Sequence, residues 1–217
     1  MTLGYWNIRG IHRGNVTRYL LAYSQANWEE KTYTIMSGDW QQVKPDLMDF
    51  PNLPYLVDGD FKISETFAVH VYIAQKFCPS LYGTTPQEQA RVTQLNRIGD
   101  DNFMNFIKMC FANGDNDKAG VTAKCMDGLA PLGNLLNDDR QFLQGQTPCI
   151  ADFILFEHIN YANHLSENQT YARYPKLEAF HARMANLPNF KEYYEGPHHA
   201  ASAATWVPSP PAKVNIN

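Results

Sequence analysis

A tyrosine at the end of a buried strand is the first residue with chemical promise. Leu3-Gly4-Tyr5-Trp6-Asn7-Ile8 reads as that strand. The Tyr5 hydroxyl at its exit could donate a hydrogen bond to a bound thiolate; by residue type alone, two core aromatics are the commoner reading. Ser64-Glu65-Thr66 opens a helix directly after a hairpin. Free backbone N–H groups and a hydroxyl at a helix start hold a carboxylate well, although every helix also needs a cap. Trp40 and Lys44 lie four apart on one helical face. They either clamp an anionic ligand or pair a packing residue with a solvated lysine. In Asp49-Phe50-Pro51-Asn52-Leu53-Pro54-Tyr55 a proline opens a strand, and Leu53-Pro54 is a candidate cis bond. The strand edge beyond it can pair with an extended peptide, with an ordinary loop-to-strand turn as the plainer alternative.

Other reactive residue types are less promising. His158 and His164 are six apart and do not share a helix face, and His198-His199 is an adjacent pair in a loose tail. Neither has a metal-ligand spacing, so no metal is expected. Cys78, Cys110, Cys125 and Cys149 contain no CxxC. They read as reduced, mostly buried thiols, which points to the cytoplasm.

These residues must be positioned by the elements around them. Residues 15–23 show helical periodicity, 28–33 alternate like a strand, and 40–47 form an irregular helix interrupted by Pro45. Residues 55–63 form a hairpin with Asp58-Gly59 at its turn, and 66–77 form a helix. The order is β-α-β-α-β-β-α. The stretch 79–86 is turn-rich. Beyond it only helices are convincing, at about 87–111, 118–136, 150–165 and 175–185. Gly120, Gly128, Pro131 and Gly133 are poor interior residues for the second of these. The tail from Gly196 is rich in Ala, Ser and Pro and is expected on the surface. The domains are therefore residues 1–79, a linker at 80–86, and an all-helical 87–217.

Composition narrows the functional class. The chain has 217 residues, 18 Lys+Arg against 22 Asp+Glu, a net charge of -4 and 44% hydrophobic residues. Mean hydropathy is -0.42 and the pI is near 5.9. An acidic balance argues against nucleic acid and against a basic membrane anchor as partners. A transmembrane helix needs about 20 apolar residues, and no such run is present.

Taken together, Gly4-Tyr5-Trp6-Asn7-Ile8-Arg9-Gly10, Trp40-x-x-x-Lys44, Asp49-Phe50-Pro51-Asn52-Leu53-Pro54-Tyr55 and Gly83-Thr84-Thr85-Pro86 resemble a cytosolic glutathione S-transferase, most closely the mu class. The resemblance runs from residue 2 to about 195, and more loosely through Arg91, Asp101-Asn102, Cys110 and Ile150-Ala151-Asp152-Phe153 in the helical half. It implies an α+β thioredoxin-like N-terminal domain, an all-α C-terminal domain and a homodimer. It also implies glutathione as co-substrate, joined as thiolate to small hydrophobic electrophiles. By the resemblance Tyr5 is the catalytic tyrosine. Trp6, Ile11, Trp40, Lys44, Asn52, Leu53 and Pro54 match glutathione contacts. Glu65-Thr66 stands where the family usually has Gln-Ser around the γ-glutamyl end, and an acid there can pair with the ligand's α-amino group. Asp101 matches an aspartate that reaches the glutathione of the other subunit, and Phe50 the aromatic key that enters the partner. Ile8, Met104, Ile107 and Phe111 match the electrophile pocket, with Trp206 or Pro208 of the tail as candidates to close it.

The chain also departs from that pattern. The long loop of vertebrate mu enzymes is missing between Thr34 and Trp40, Phe111 replaces a pocket tyrosine, and Gln75 replaces an interface arginine. Cys149 stands at the Ser/Thr capping position three before Asp152, so Thr147-Pro148 is expected to cap that helix instead. Two further readings are a non-catalytic carrier of hydrophobic ligands and a glutathione-dependent isomerase.

Overall fold

The computed structural model describes residues 1–7, 13–35, 37–113, 117–197 and 199, with the side chains at 106, 107, 109–113 and 118 outside the description. The chain forms two compact units, one from Met1–Thr85 together with the segment that starts at Ala185, the other from Pro86–Met184.

The first unit is built on a four-stranded sheet in the order β2-β1-β3-β4. Strands β1 (Thr2–Trp6) and β2 (Glu29–Tyr33) pair in parallel. β3 (Tyr55–Asp58) is antiparallel to both β1 and β4 (Phe61–Ser64). Parallel pairing requires a crossover, and α1 (Arg13–Tyr23) supplies it. Helices α2 (Asp39–Leu47) and α3 (Thr66–Phe77) follow β2 and β4, so the expected element order is observed. Gly4 is required by a close approach: a Cβ there would lie 2.0 Å from the Tyr55 ring. The β3–β4 turn falls on Gly59-Asp60, one residue later than expected, with Gly59 at φ 61°. A two-residue hairpin loop needs positive φ, which glycine adopts at little cost. Leu20 and Leu21 of α1 and Val69, Ile73 and Ala74 of α3 are fully buried, as is Leu3 on the sheet.

The same unit includes α10 (Lys191–Glu195), which packs on α1. Tyr19 meets Phe190 edge-on at 5.2 Å between ring centroids, and its hydroxyl lies 3.0 Å from His199 Nε2. His199 is buried, which corrects the expectation of a wholly surface tail. Composition read the tail as loose, whereas the aromatic face of α1 holds His199.

The second unit is helical: α4 (Pro86–Asn113), α5 (Lys118–Asp127), α6 (Ala130–Gly133), α7 (Ile150–Leu165), α8 (Thr170–Arg173) and α9 (Pro175–Ala185). Almost every residue of α7 is buried, as an apolar helix at the centre of a bundle requires. The expected helix over 118–136 is two helices. Pro131 has no N–H to offer the Asp127 carbonyl, and α5 ends at that carbonyl. The N-cap of α7 is Cys149, not Thr147-Pro148. Asp152 accepts the N–H of Cys149 at 2.8 Å while the Cys149 sulfur accepts that of Asp152. No helix among the described residues is long and apolar enough to cross a membrane.

Candidate active site

The site is built from the first unit. Tyr5 comes from the end of β1, and only 7% of it is exposed. The backbone N–H groups of Gly14 and Arg13, in the first turn of α1, donate to its oxygen. The Arg18 guanidinium lies 5.9 Å from the centre of its ring. Burial pushes the Tyr5 hydroxyl up to about 12, against the opposing pull of the Gly14 N–H, Arg13, Arg18 and the Arg13 N–H. Tyr5 is thus a protonated donor at neutral pH, its oxygen anchored from behind. Arg18 is itself held by Glu30, through Nε and through Nη2 at 3.2 Å, and by Asn15 at 3.0 Å.

Arg13 and Arg18 escaped the sequence reading, but a signal was available. The first turn of α1 has no acidic residue and begins with arginine. A cation there opposes the helix dipole. The arrangement makes sense beside a site that takes an anion.

Trp40 is buried, stacked on Tyr55 with centroids 6.1 Å apart and 18° between planes, and edge-on to Tyr33 at 5.1 Å. The Tyr33 and Tyr55 hydroxyls are 2.7 Å apart, which fixes this cluster. Trp6 is half-buried, 6.4 Å from Trp40. Both readings of the Trp40–Lys44 pair leave a trace, since Trp40 packs while Lys44 is exposed one turn later.

The loop before β3 meets the start of α3. Leu53-Pro54 is cis. Asn52 accepts the Leu53 N–H at 2.9 Å through Oδ1 and donates through Nδ2 to Glu65 at 3.0 Å. Glu65 is the N-cap of α3 at φ 68°, makes no side-chain cap bond, and is exposed; Thr66 follows as the first helical residue. A non-glycine residue in the left-handed region costs energy unless its surroundings hold it. The structure thus brings Asn52, Leu53, Pro54, Glu65 and Thr66 together. Phe50 is 80% exposed, and its carbonyl accepts the Ser64 hydroxyl.

The remaining expected residues lie elsewhere. Asp101 is exposed on α4 and pairs with Arg97 at 2.8 Å. Met104 is half-buried on the same helix. Ile107 and Phe111 belong to α4, but their side chains lie outside the description, as do Ile8, Ile11, Trp206 and Pro208 entirely. Among the described residues no cluster of His, Cys, Asp and Glu is arranged to hold a metal.

Residues 1–75 match the family model of the glutathione S-transferase N-terminal domain, and residues 100–197 that of the C-terminal domain. A class-mu 26 kDa glutathione S-transferase isozyme of Fasciola hepatica is 31% identical and covers 89% of this chain and 87% of its own. Glutathione S-transferase Mu 2 of Macaca fascicularis is 35% identical over 89% of each chain. Among solved structures, a pi-class glutathione S-transferase of Onchocerca volvulus matches with a TM-score of 0.79 at 25% identity, covering 92% of this chain and 94% of its own.

Proposed function

The chain belongs to the glutathione S-transferase family and joins glutathione to electrophiles, and from that premise we propose that Tyr5 is the residue that activates the thiol. The observation that carries this reading is the buried Tyr5 hydroxyl, its oxygen held by the Gly14 and Arg13 N–H groups. A free thiol titrates near 8.5, so only a few per cent is thiolate at neutral pH. Lowering that by about two pH units takes roughly 2.7 kcal/mol of preference for the thiolate. One hydrogen bond to a charged acceptor supplies about 1.5–3 kcal/mol. The N–H donors on the Tyr5 oxygen strengthen the hydroxyl as a donor. The thiol proton leaves to solvent, the sulfur lone pair forms the new bond to the electrophilic carbon, and the leaving group, the halide of a dinitrophenyl halide, departs with its bonding pair.

The peptide part is assigned to Trp6, Ile11, Trp40, Lys44, Asn52, Leu53, Pro54, Glu65 and Thr66. Its support is that five of these meet at the start of α3, where an exposed carboxylate can pair with an ammonium group. Met104, Ile107 and Phe111 are assigned to the hydrophobic electrophile, because their spacing of three and four puts them on one face of α4. A mu-like enzyme is supported by the class-mu relatives, and a cytoplasmic one by the buried free thiols Cys125 and Cys149. The carrier and isomerase readings are not favoured beside relatives that are transferases by name.

Tyr5→Phe removes one hydroxyl and little volume. Conjugation of a dinitrophenyl halide falls by about 10²-fold, the scale for losing one charge-stabilising donor. Retention on glutathione resin changes little. Near-full activity of Tyr5→Phe at neutral pH would overturn the assignment.

The functional form is proposed to be a homodimer, with Asp101 reaching the glutathione of the partner. The support is Phe50, a large apolar side chain left 80% exposed on a single chain. Burying it in a partner stabilises the pair by roughly 1.5–3 kcal/mol. Phe50→Ser therefore raises the dimer dissociation constant by at least about ten-fold in sedimentation, at 1.4 kcal/mol per decade. A wild type that sediments as a monomer of 24.7 kDa at micromolar concentration would refute the dimer.

A further inference from the structure

His70, on α3, takes no part in the site described above. It is 1% exposed, and its Nε2 lies 3.0 Å from the hydroxyl of Thr17 on α1, itself fully buried. The Thr17 hydroxyl donates to the Arg13 carbonyl at 3.3 Å. A hydroxyl has one proton; with it on the Arg13 carbonyl, the matching ring tautomer carries its proton on Nε2 and donates to Thr17. Nδ1 is then the unprotonated nitrogen, and it is the ring atom buried without a hydrogen-bond partner. Burial, helped by the Arg13 charge, holds the imidazole down to about 3, so it is neutral.

An apolar side chain would fill the same place between α1 and α3 without stranding a nitrogen. What the imidazole adds is a directed bond, and that bond ends on the backbone of Arg13. The N–H groups of Arg13 and Gly14 are the ones that hold the Tyr5 oxygen.

We propose that His70 is a positioning residue for the transferase reaction. The chain from His70 Nε2–H to Thr17 to the Arg13 carbonyl clamps the first turn of α1. The Tyr5 oxygen is thereby fixed with its hydrogen directed at the glutathione sulfur. The proposal rests on the assignment of Tyr5 as the thiol activator. It predicts that thiol acidity, and not peptide binding, depends on a bond between two side chains, His70 and Thr17, that do not touch the substrate.

The test is the pH profile of kcat/KM for dinitrophenyl halide conjugation in the full-length protein. It is read beside the ultraviolet absorbance of the bound thiolate and the KM for glutathione. Thr17→Val removes the hydroxyl at nearly constant volume, and His70→Leu removes the donor. Each moves the midpoint of the profile up by about half a pH unit, a factor of about three in thiolate below the midpoint. KM for glutathione stays within about two-fold, since no substrate contact is lost. The double variant is no worse than either single one, because both break the same chain. His70→Gln, which can present an N–H at the same place, and Thr17→Ser restore the wild-type midpoint. A Thr17→Val protein that folds with an unmoved midpoint overturns the proposal. So does a His70→Leu protein that loses thermal stability alone. Tyr5→Phe run in parallel separates the two failures. If Tyr5→Phe is inactive and Thr17→Val is normal, only the clamp is wrong; if Tyr5→Phe is fully active, the assignment of Tyr5 falls and the clamp with it.

Discussion

Helix α7 begins with its first N–H groups answered by its own chain, whereas the N-cap residue of α3 offers its first turn no side-chain bond. At α7, Asp152 accepts the N–H of Cys149 and of Leu143, each at 2.8 Å, and is wholly buried. At α3, Glu65 sits in the left-handed region, exposed, tied sideways to Asn52. A helix start is an anion site by virtue of its dipole and unpaired donors. The chain can fill that site with its own carboxylate, which builds a core, or leave it for a ligand at some cost in local strain. The first use belongs to the fold of the helical unit and the second to the proposed chemistry of the first unit.

The largest effect that would break this contrast is at the filled end. Asp152→Ala strands two buried donors at about 1–3 kcal/mol each. The helical unit is expected to lose several kcal/mol and the melting temperature to drop by roughly 10 °C, at about 2–4 °C per kcal/mol for a chain of this size. Scanning calorimetry measures this. A melting temperature within a degree or two of wild type would mean that the box contributes nothing to the fold.

The same carboxyl carries a pH signature. Burial raises Asp152 from 3.8 to about 6 against its donors, the Leu143 and Cys149 N–H groups, the Cys149 side chain and the Arg183 charge. The folded state therefore favours the protonated form. Its contribution is fully present below the unfolded value of 3.8 and is lost as pH rises through about 6. The loss is roughly 2–4 kcal/mol at 1.36 kcal/mol per pH unit. Asp152→Asn cannot ionise. Denaturant titrations across that window should show the wild type losing stability relative to Asp152→Asn, and parallel curves would refute the shift.

How much of this contrast is legible in the chain depends on its range. The bounds of α3, α7 and α9 follow from periodicity and breakers, and the structure repeats them. Cys149 reads as a poor cap because thiols are weak acceptors in water. It serves here because burial removes the competing water, and Asp152 makes the stronger half of the box. Tyr5 and Asn52 are legible because they fall in short strings that resemble a family, and Glu65 because Ser64-Glu65-Thr66 opens a helix directly after a hairpin. His70 and Thr17 are 53 residues apart, and no local pattern joins them. The docking of His199 on Tyr19 likewise needs the aromatic face of α1, which tail composition cannot disclose.

The smallest expected effect sharpens the contrast most, because it carries opposite signs. Glu65 has φ 68° and ψ 114° as the N-cap of α3. Residues held in such regions carry about 1–3 kcal/mol of strain, and glycine adopts them freely while costing about 0.5–1 kcal/mol in chain entropy. Glu65→Gly is therefore expected to stabilise the protein by about 1 kcal/mol, the strain relieved less the chain entropy lost. The carboxylate that would meet the α-amino group of glutathione is lost in the same step. An exposed charge pair is worth about 0.2–1 kcal/mol, so KM for glutathione should rise about 1.4- to five-fold. Glu65→Ala keeps the strain and loses the charge, so it should match the rise in KM without the gain in stability. If Glu65→Gly gains stability and binds glutathione as tightly as wild type, the strained carboxylate does not serve the ligand. If it loses stability, the φ of residue 65 is not a strain that glycine relieves, and α3 begins like any structural helix.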